Sequence, residues 1–178
     1  PGMGFKELAG IHDRGDWDLS RHSEFSGEKL EYFDQVQGKK YIPHVVETSD
    51  GADRATLAFL VDAYDVVENR SGEKDGKHEN EIVLRLHKDL APIKIAILPL
   101  SKKEPLQKLS NKIVEEFQSD YMVWYDETGS IGKRYRRQDE VGTPYCVTVD
   151  FDSLEDNAVT VRDRDTMAQE RIKIDELK

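Results

Sequence analysis

Residues 93–100 read IKIAILPL, an apolar run without the polar alternation of a strand that has one face in water. Such a run fits a parallel strand covered on both faces, so the chain must supply layers on either side of it. The first layer follows directly. From Glu104 to Gln118 the spacing predicts a helix with Leu106, Leu109, Ile113, Val114 and Phe117 on one face. Tyr121 to Tyr125 is strand-like, and Ser130 to Glu140 is a basic helix candidate after Gly129. Tyr145 to Val149 and Ala158 to Val161 read as strands joined by the turn-rich stretch 152–157. The order β-α-β-α-β-β implies an α/β domain with a mixed sheet.

The preceding half has a different rhythm. Phe5 to Ile11 reads as a short strand, and Asp16 to Phe25 as a helix opened by Asp16. A turn is expected at 38–40. Tyr41 to Thr48 reads as a strand with a proline near its start. Ser49 and Asp50 are good helix caps. From Ala52 to about Val66 the chain is apolar on nearly every face, as a buried helix would be. Residues 68–80 are polar, hold two glycines and read as a surface loop. Leu90-Ala91-Pro92 marks a junction, which gives expected domains at 1–88 and 89–178.

Composition narrows the possibilities. No stretch approaches the ~18–20 apolar residues of a membrane span, and no signal peptide opens the chain. Cys146 is the only cysteine, so an intrachain disulfide is excluded and a reducing, cytoplasmic setting is expected. Inside an apolar strand it reads as a buried hydrophobe. His12, His22, His44, His78 and His87 lack metal-ligand spacing. The net charge of -10 argues against general nucleic-acid binding but leaves room for a local basic patch. The opening Pro1-Gly2-Met3 and the ending 174–178 both read as cuts in a longer protein.

Three segments carry candidate chemistry. In Glu47-Thr48-Ser49-Asp50-Gly51-Ala52-Asp53-Arg54 a strand runs into a turn and a helix. Glu47 and Ser49 are two apart and share a strand face. A carboxylate there can hold an ammonium group, and a hydroxyl can add a hydrogen bond. Gly51 permits close backbone approach. Arg54 lies in the first helical turn, where free N–H groups already favour anions. From pattern alone, an ordinary N-cap with solvated acids is an equal reading. Glu7 by itself reads as a strand-edge glutamate in a surface salt bridge. Four cations, Lys133, Arg134, Arg136 and Arg137, cluster around Tyr135. They suit RNA phosphates, with Tyr135 available for stacking; a solvated face balanced by Asp139 and Glu140 is the other reading.

The segment YIPHVVETSDGADRATLAFLVDAYD resembles the third signature motif of the class II aminoacyl-tRNA synthetases, in its glycyl-type form. The resemblance implies that Arg54 contacts the ATP γ-phosphate and that Glu47 and Ser49 line a glycine pocket, with Thr48, Asp50 and Gly51 around them. Ala52 and Asp53 fall with Gly51 and Arg54 in the implied ATP-binding segment. Glycine would be selected because a tight pocket leaves no room for a β-carbon. Where the family commonly has proline this chain has Thr48, which alters turn stiffness but not the side-chain roles. Residues 5–14, FKELAGIHDR, resemble the strand ahead of that motif. This match implies that Glu7 and Leu8 lie at the ATP site and that Glu7 helps hold Mg²⁺ on the triphosphate. Asp18, in a segment similar to the family's Asp-Tyr-Asp-Leu, would support the pocket. The stretch 129–166 looks like the anticodon-binding domain shared by the glycyl, histidyl, prolyl and threonyl synthetases.

The fold expected from the resemblance is α/β and α+β: the end of an antiparallel-sheet catalytic domain, then an α/β anticodon-binding domain with a mixed sheet. The implied activity is that of a glycine-tRNA ligase, using ATP and Mg²⁺, charging tRNA(Gly), and homodimeric at full length. The family's first two motifs are absent, so this chain alone is expected to be inactive. Two rivals are a sister synthetase for histidine, proline or threonine, and a non-catalytic relative similar to the synthetase-like accessory subunit of mitochondrial DNA polymerase. Glu47 and Ser49 ahead of Gly-x-Asp-Arg favour glycine.

Overall fold

The computed structural model describes residues 4–70, 72 and 80–177. The chain divides into two compact units, Pro1–Ala58 and Phe59–Lys178.

In the first unit, β1 (Ala9–Asp13) pairs antiparallel with β4 (Val46–Asp50), Gly10 opposite Ser49 and His12 opposite Glu47. Between them lie α1 (Trp17–Ser26) and a small hairpin of β2 (Tyr32–Asp34) and β3 (Lys39–Tyr41). Asp16 is the N-cap of α1, and Gly27 ends it in the left-handed region at φ 76°, donating its N–H to the Ser23 carbonyl. Glycine adopts that conformation without the steric cost of a β-carbon. Two expected strands are displaced. The first begins at Ala9, not Phe5, and the second at Val46, because residues 42–45, which include Pro43, lie outside both strands. Proline has no N–H to give to a ladder.

Helix α2 (Ala52–Ala63) crosses the boundary between the units. The expectation that it runs to Val66 is corrected: Tyr64–Glu68 is β5, paired antiparallel with β6 (Asn80–Leu84). Tyr64, Val66 and Val67 are strand-favouring residues, and the ladder to β6 outcompetes a further helical turn. The expected burial of this helix is corrected as well. Leu57, Phe59, Leu60 and Val61 are exposed. Most of the polar loop expected at 68–80 lies outside the described residues.

The second unit carries the core. Its sheet runs β11-β10-β9-β7-β8. Strand β7 (Ile95–Pro99) is parallel to both β8 (Val123–Tyr125) and β9 (Tyr145–Val149). Antiparallel β10 (Ala158–Asp163) and β11 (Gln169–Lys173) complete it, followed by a 3-10 turn at Ile174–Glu176. Helices α3 (Glu104–Phe117), α4 (Ile131–Val141) and the short α5 (Ser153–Asp156) fill the connections. Alternate residues of β7 face opposite layers. Ile97 packs with Leu106, Ile113, Phe117, Val147, Val149 and Val159 on the α3 face. Ala96 and Leu98 pack with Cys146, Ile131 and Tyr135 on the α4 face. Burial on both faces is why the strand residues 95–99 show no alternation. Strand β11 was not foreseen, since QERIK carries little apolar signal.

Candidate nucleotide and RNA sites

In the first unit the β1–β4 register decides which side chains meet. Residues opposite one another point to the same face, so Gly10, His12, Glu47 and Ser49 share one. Arg14 joins this face to the next helix. Its Nε donates to Asp18 Oδ2 at 3.1 Å, and its Nη1 lies 3.4 Å from Glu47 Oε2. The Glu47 carboxylate is therefore oriented by a guanidinium that Asp18 holds in place. Sequence reasoning gave Arg14 no role; the signal was present, since Arg14 and Asp18 are one helical turn apart.

The other segment of interest converges on the start of α2. The Gly51 amide donates to the Leu8 carbonyl at 3.1 Å, and the Ala55 amide to Gly51 O at 2.8 Å. Gly51 thus links the β1 approach strand to the first helical bond. Arg54 reaches back and donates to the Glu7 carbonyl. The structure brings Glu7, Leu8, Gly51 and Arg54 together although 47 residues separate the outermost pair. Glu7, Thr48, Asp50, Ala52, Asp53 and Arg54 are all exposed. Among the described residues no hydrogen bond or ion pair joins Arg54 to Glu47 or Ser49.

The basic helix α4 separates its cations by face. Arg134 is 2% exposed. It donates to Pro99 O at 2.6 Å, Asp126 O at 3.3 Å and Leu100 O at 3.4 Å. It therefore ties the end of β7 to the loop after β8, and burial pushes its pKa down. A guanidinium so enclosed is structural and does not reach an RNA phosphate. Residues 131, 134, 135 and 138 follow the i, i+3, i+4, i+7 spacing of an inward face, a signal the string KRYRR obscures. The expectation for Tyr135 is corrected too: its hydroxyl lies 2.6 Å from Thr148 Oγ1 and Arg162 stacks 4.9 Å from its ring centroid. Burial raises its pKa, and its ring is spent on the core.

Lys133 is exposed. Arg136 lies 3.6 Å from Glu140. Arg137 pairs with Asp126 and donates to the Thr128 carbonyl at 2.6 Å. Burial opposes ionisation of Asp126, but Arg137 and the Thr128 amide outweigh it and hold its carboxyl below the ordinary value. Asp139 does not balance the surface cations. It is 2% exposed, and it accepts from Arg162 at 2.9 and 3.0 Å and from Arg70 at 3.2 Å. Cys146 is 1% exposed and burial pushes its thiol up to about 12. Among the described residues no group of three or more His, Cys, Asp or Glu is placed to hold a metal ion.

The mixed sheet, with α3 and α4 on opposite faces, is the anticodon-binding fold of class II synthetases, and the Anticodon binding domain family matches residues 94–178. Two solved structures of prolyl-tRNA synthetase from Cryptosporidium parvum share the fold. The complex with L-proline and AMP superposes with TM-score 0.62 at 21% identity, over 96% of this chain and 32% of that one. The complex with halofuginone and AMPPNP gives 0.61 at 22%, with the same coverage. By sequence the chain is similar to glycine–tRNA ligases. It is 57% identical to that of Alkaliphilus metalliredigens over 98% of this chain, and 58% identical to that of Staphylococcus saprophyticus over 99%. The chain spans 36% of the length of both relatives.

Proposed function

We propose that this chain is part of an enzyme that activates glycine with ATP and transfers it to tRNA(Gly). The observation that carries the reading is the junction at Gly51. It sets Glu47 and Ser49 at a strand end, and it sets Arg54 and the Glu7 segment at the opening of a helix. Its sequence lies within a segment more than half identical to glycine–tRNA ligases.

In this reading the glycine ammonium group sits against Glu47, which Arg14 keeps in position, and Ser49 adds a hydrogen bond. The glycine carboxylate attacks the α-phosphorus of ATP, a glycyl-adenylate forms and pyrophosphate leaves. The ribose at the tRNA 3′ end then takes the glycyl group. Arg54 binds the γ-phosphate at a helix N-terminus, where the backbone already favours anions. Catalysis on this plan is positioning and charge stabilisation. A single carboxylate, Glu7, suits Mg²⁺ that is held mostly by phosphate oxygens and water. The ion neutralises triphosphate charge when bound.

The second unit presents Lys133, Arg136 and Arg137 to tRNA, while Arg134 holds the domain together. We place the boundary of the catalytic portion at 88/89, just ahead of the family match at 94. We further assign the full-length enzyme to the cytoplasm as a homodimer. No described helix is long and apolar enough to cross a membrane.

The test is ATP–pyrophosphate exchange by the full-length enzyme with a panel of amino acids. Exchange is expected with glycine and not with proline, threonine or histidine. Exchange driven by another amino acid, or by none, overturns the reading.

A further inference from the structure

The hairpin β5–β6 precedes the family match at 94, yet its packing lies with the second unit. Leu84 sits against the C-cap of α4, where Gly142 has φ 81° and a β-carbon would come within 2.9 Å of the Leu84 carbonyl. Glycine lets the two backbones approach this closely. Val83 is fully enclosed, and Leu86 packs with Ala63 and Ala91.

Buried charge reinforces the joint. Arg70, just past β5, donates to Asp139 Oδ2 at 3.2 Å and to the Arg164 carbonyl. Asp139 also accepts from Arg162, so one carboxylate of α4 holds two guanidiniums away from water. The side chains of Arg70 and Arg162 are each 4% exposed. Arg164 returns the contact, donating to Leu86 O and Gly142 O at 2.8 Å each. Nearer the solvent, Arg85 bridges Asp65 at 2.7 Å and Asp165 at 3.2 Å.

A buried ion pair is costly to desolvate and adds little net stability over an apolar replacement. A guanidinium fork does, however, fit its acceptors in one geometry. Here it fixes the hairpin, and the hairpin holds the end of α2. The Arg85 amide donates to Ala63 O at 2.6 Å, and Ala63, the last residue of the helix, is buried. Arg54 lies in the first turn of that same helix, at the far end of a stiff lever about 13–14 Å long. A small rotation at Ala63 therefore becomes a displacement at Arg54.

We propose that Arg70 is a positioning residue for the nucleotide site. Its bonds to Asp139 and to the Arg164 carbonyl clasp the hairpin to α4 and the end of β10, and so set the direction of the helix that carries Arg54. The inference rests on the reading of Arg54 as a γ-phosphate ligand, and it adds a residue beyond the motif.

The experiment measures glycine-dependent ATP–pyrophosphate exchange by the full-length enzyme across ATP and glycine concentrations. Arg70→Ala is expected to lower kcat/KM for ATP by roughly 10- to 100-fold, the cost of misplacing a group that holds the reactant. The KM for glycine should stay near that of the parent. Arg70→Lys keeps a cation beside Asp139 but not the fork, and should lose less. Leu106→Ala loosens the core on the α3 face of the same unit. It should leave both KM values unchanged, which separates positioning from general loss of stability. Arg54→Ala and Arg70→Ala together should cost no more than Arg54→Ala alone. Circular dichroism reports whether each variant is folded, and where Arg70→Ala is not, Arg70→Lys decides. Parent kinetics in a folded Arg70 variant, or an equal loss in Leu106→Ala, overturns the proposal while the assignment of Arg54 stands. Parent kinetics in Arg54→Ala overturns both.

Discussion

The two units differ in what holds them. In the first, none of the described residues is buried; Ile11, Trp17, Phe25 and Val46 all face solvent. In the second, Ile97, Leu106, Ile113, Val149 and Val159 are fully enclosed and a second layer closes over Ala96 and Leu98. Yet the side chains assigned to glycine and ATP lie in or near the first unit, those assigned to RNA in the second. Within this chain the groups proposed for chemistry are placed by a strand register and a helix start. The surface proposed for RNA is placed by a sheet with a core of its own.

Amide hydrogen exchange on the whole chain should show this contrast most sharply. Amides of β7, β9 and β10 are expected to exchange only through global opening, those of β1 and β4 through cheap local opening, orders of magnitude faster. Equal protection in both would erase the distinction. Core truncation is the next largest effect. Leu106→Ala or Ile113→Ala should cost roughly 2–5 kcal/mol in denaturant unfolding, whereas Ile11→Ala in the first unit should stay within about 0.5 kcal/mol.

Neighbouring cations on α4 divide in the same manner. Arg134→Ala removes charge-assisted bonds to three carbonyls and should destabilise by roughly 1.5–3 kcal/mol. Lys133→Ala should leave stability unchanged, lower RNA affinity and reduce the salt slope by about one. If Lys133→Ala proves the destabilising variant, the face assignment is wrong.

The smallest effect is on acid stability. Asp156 and Asp150 both pair with Arg171 at 2.8–2.9 Å. For Asp156 the Arg171 hydrogen bond is the main cause of a lowered pKa. For Asp150 burial opposes ionisation, but Arg171 and Ser153 outweigh it. A lowered folded-state pKa gives stability that is present above the unfolded value, about 3.9, and lost as the pH falls through the folded value. Arg171→Ala should therefore flatten the fall in stability below about pH 4, a small effect for pairs this exposed.

Much of the second unit could be read from the chain because its periodicity is strong. The runs of β7 and β9 and the stripe of α3 are each set by burial alone. Two failures have a common cause. The stretch 52–66 is apolar on nearly every side, so nothing in it marked where α2 gives way to β5 at Tyr64. The partner that decides this, β6, lies beyond the loop. In the run 133–137 the cations look alike, and the inward spacing that marks Arg134 is obscured until its bonds to the Pro99 and Leu100 carbonyls are seen. At the candidate nucleotide site the motif supplied the residues proposed for binding. The long-range contacts of Gly51 with Leu8 and of Arg54 with Glu7 needed coordinates, as did Arg14 between Asp18 and Glu47.

The most direct measurement is glycine-dependent ATP–pyrophosphate exchange by the full-length enzyme carrying Arg54→Ala, set beside its affinity for tRNA(Gly). Exchange is expected to fall by about 10²- to 10³-fold, the cost of removing one charge-stabilising donor, with tRNA binding unchanged. Exchange at the parent rate would contradict the assignment of Arg54 and the junction at Gly51 to the nucleotide.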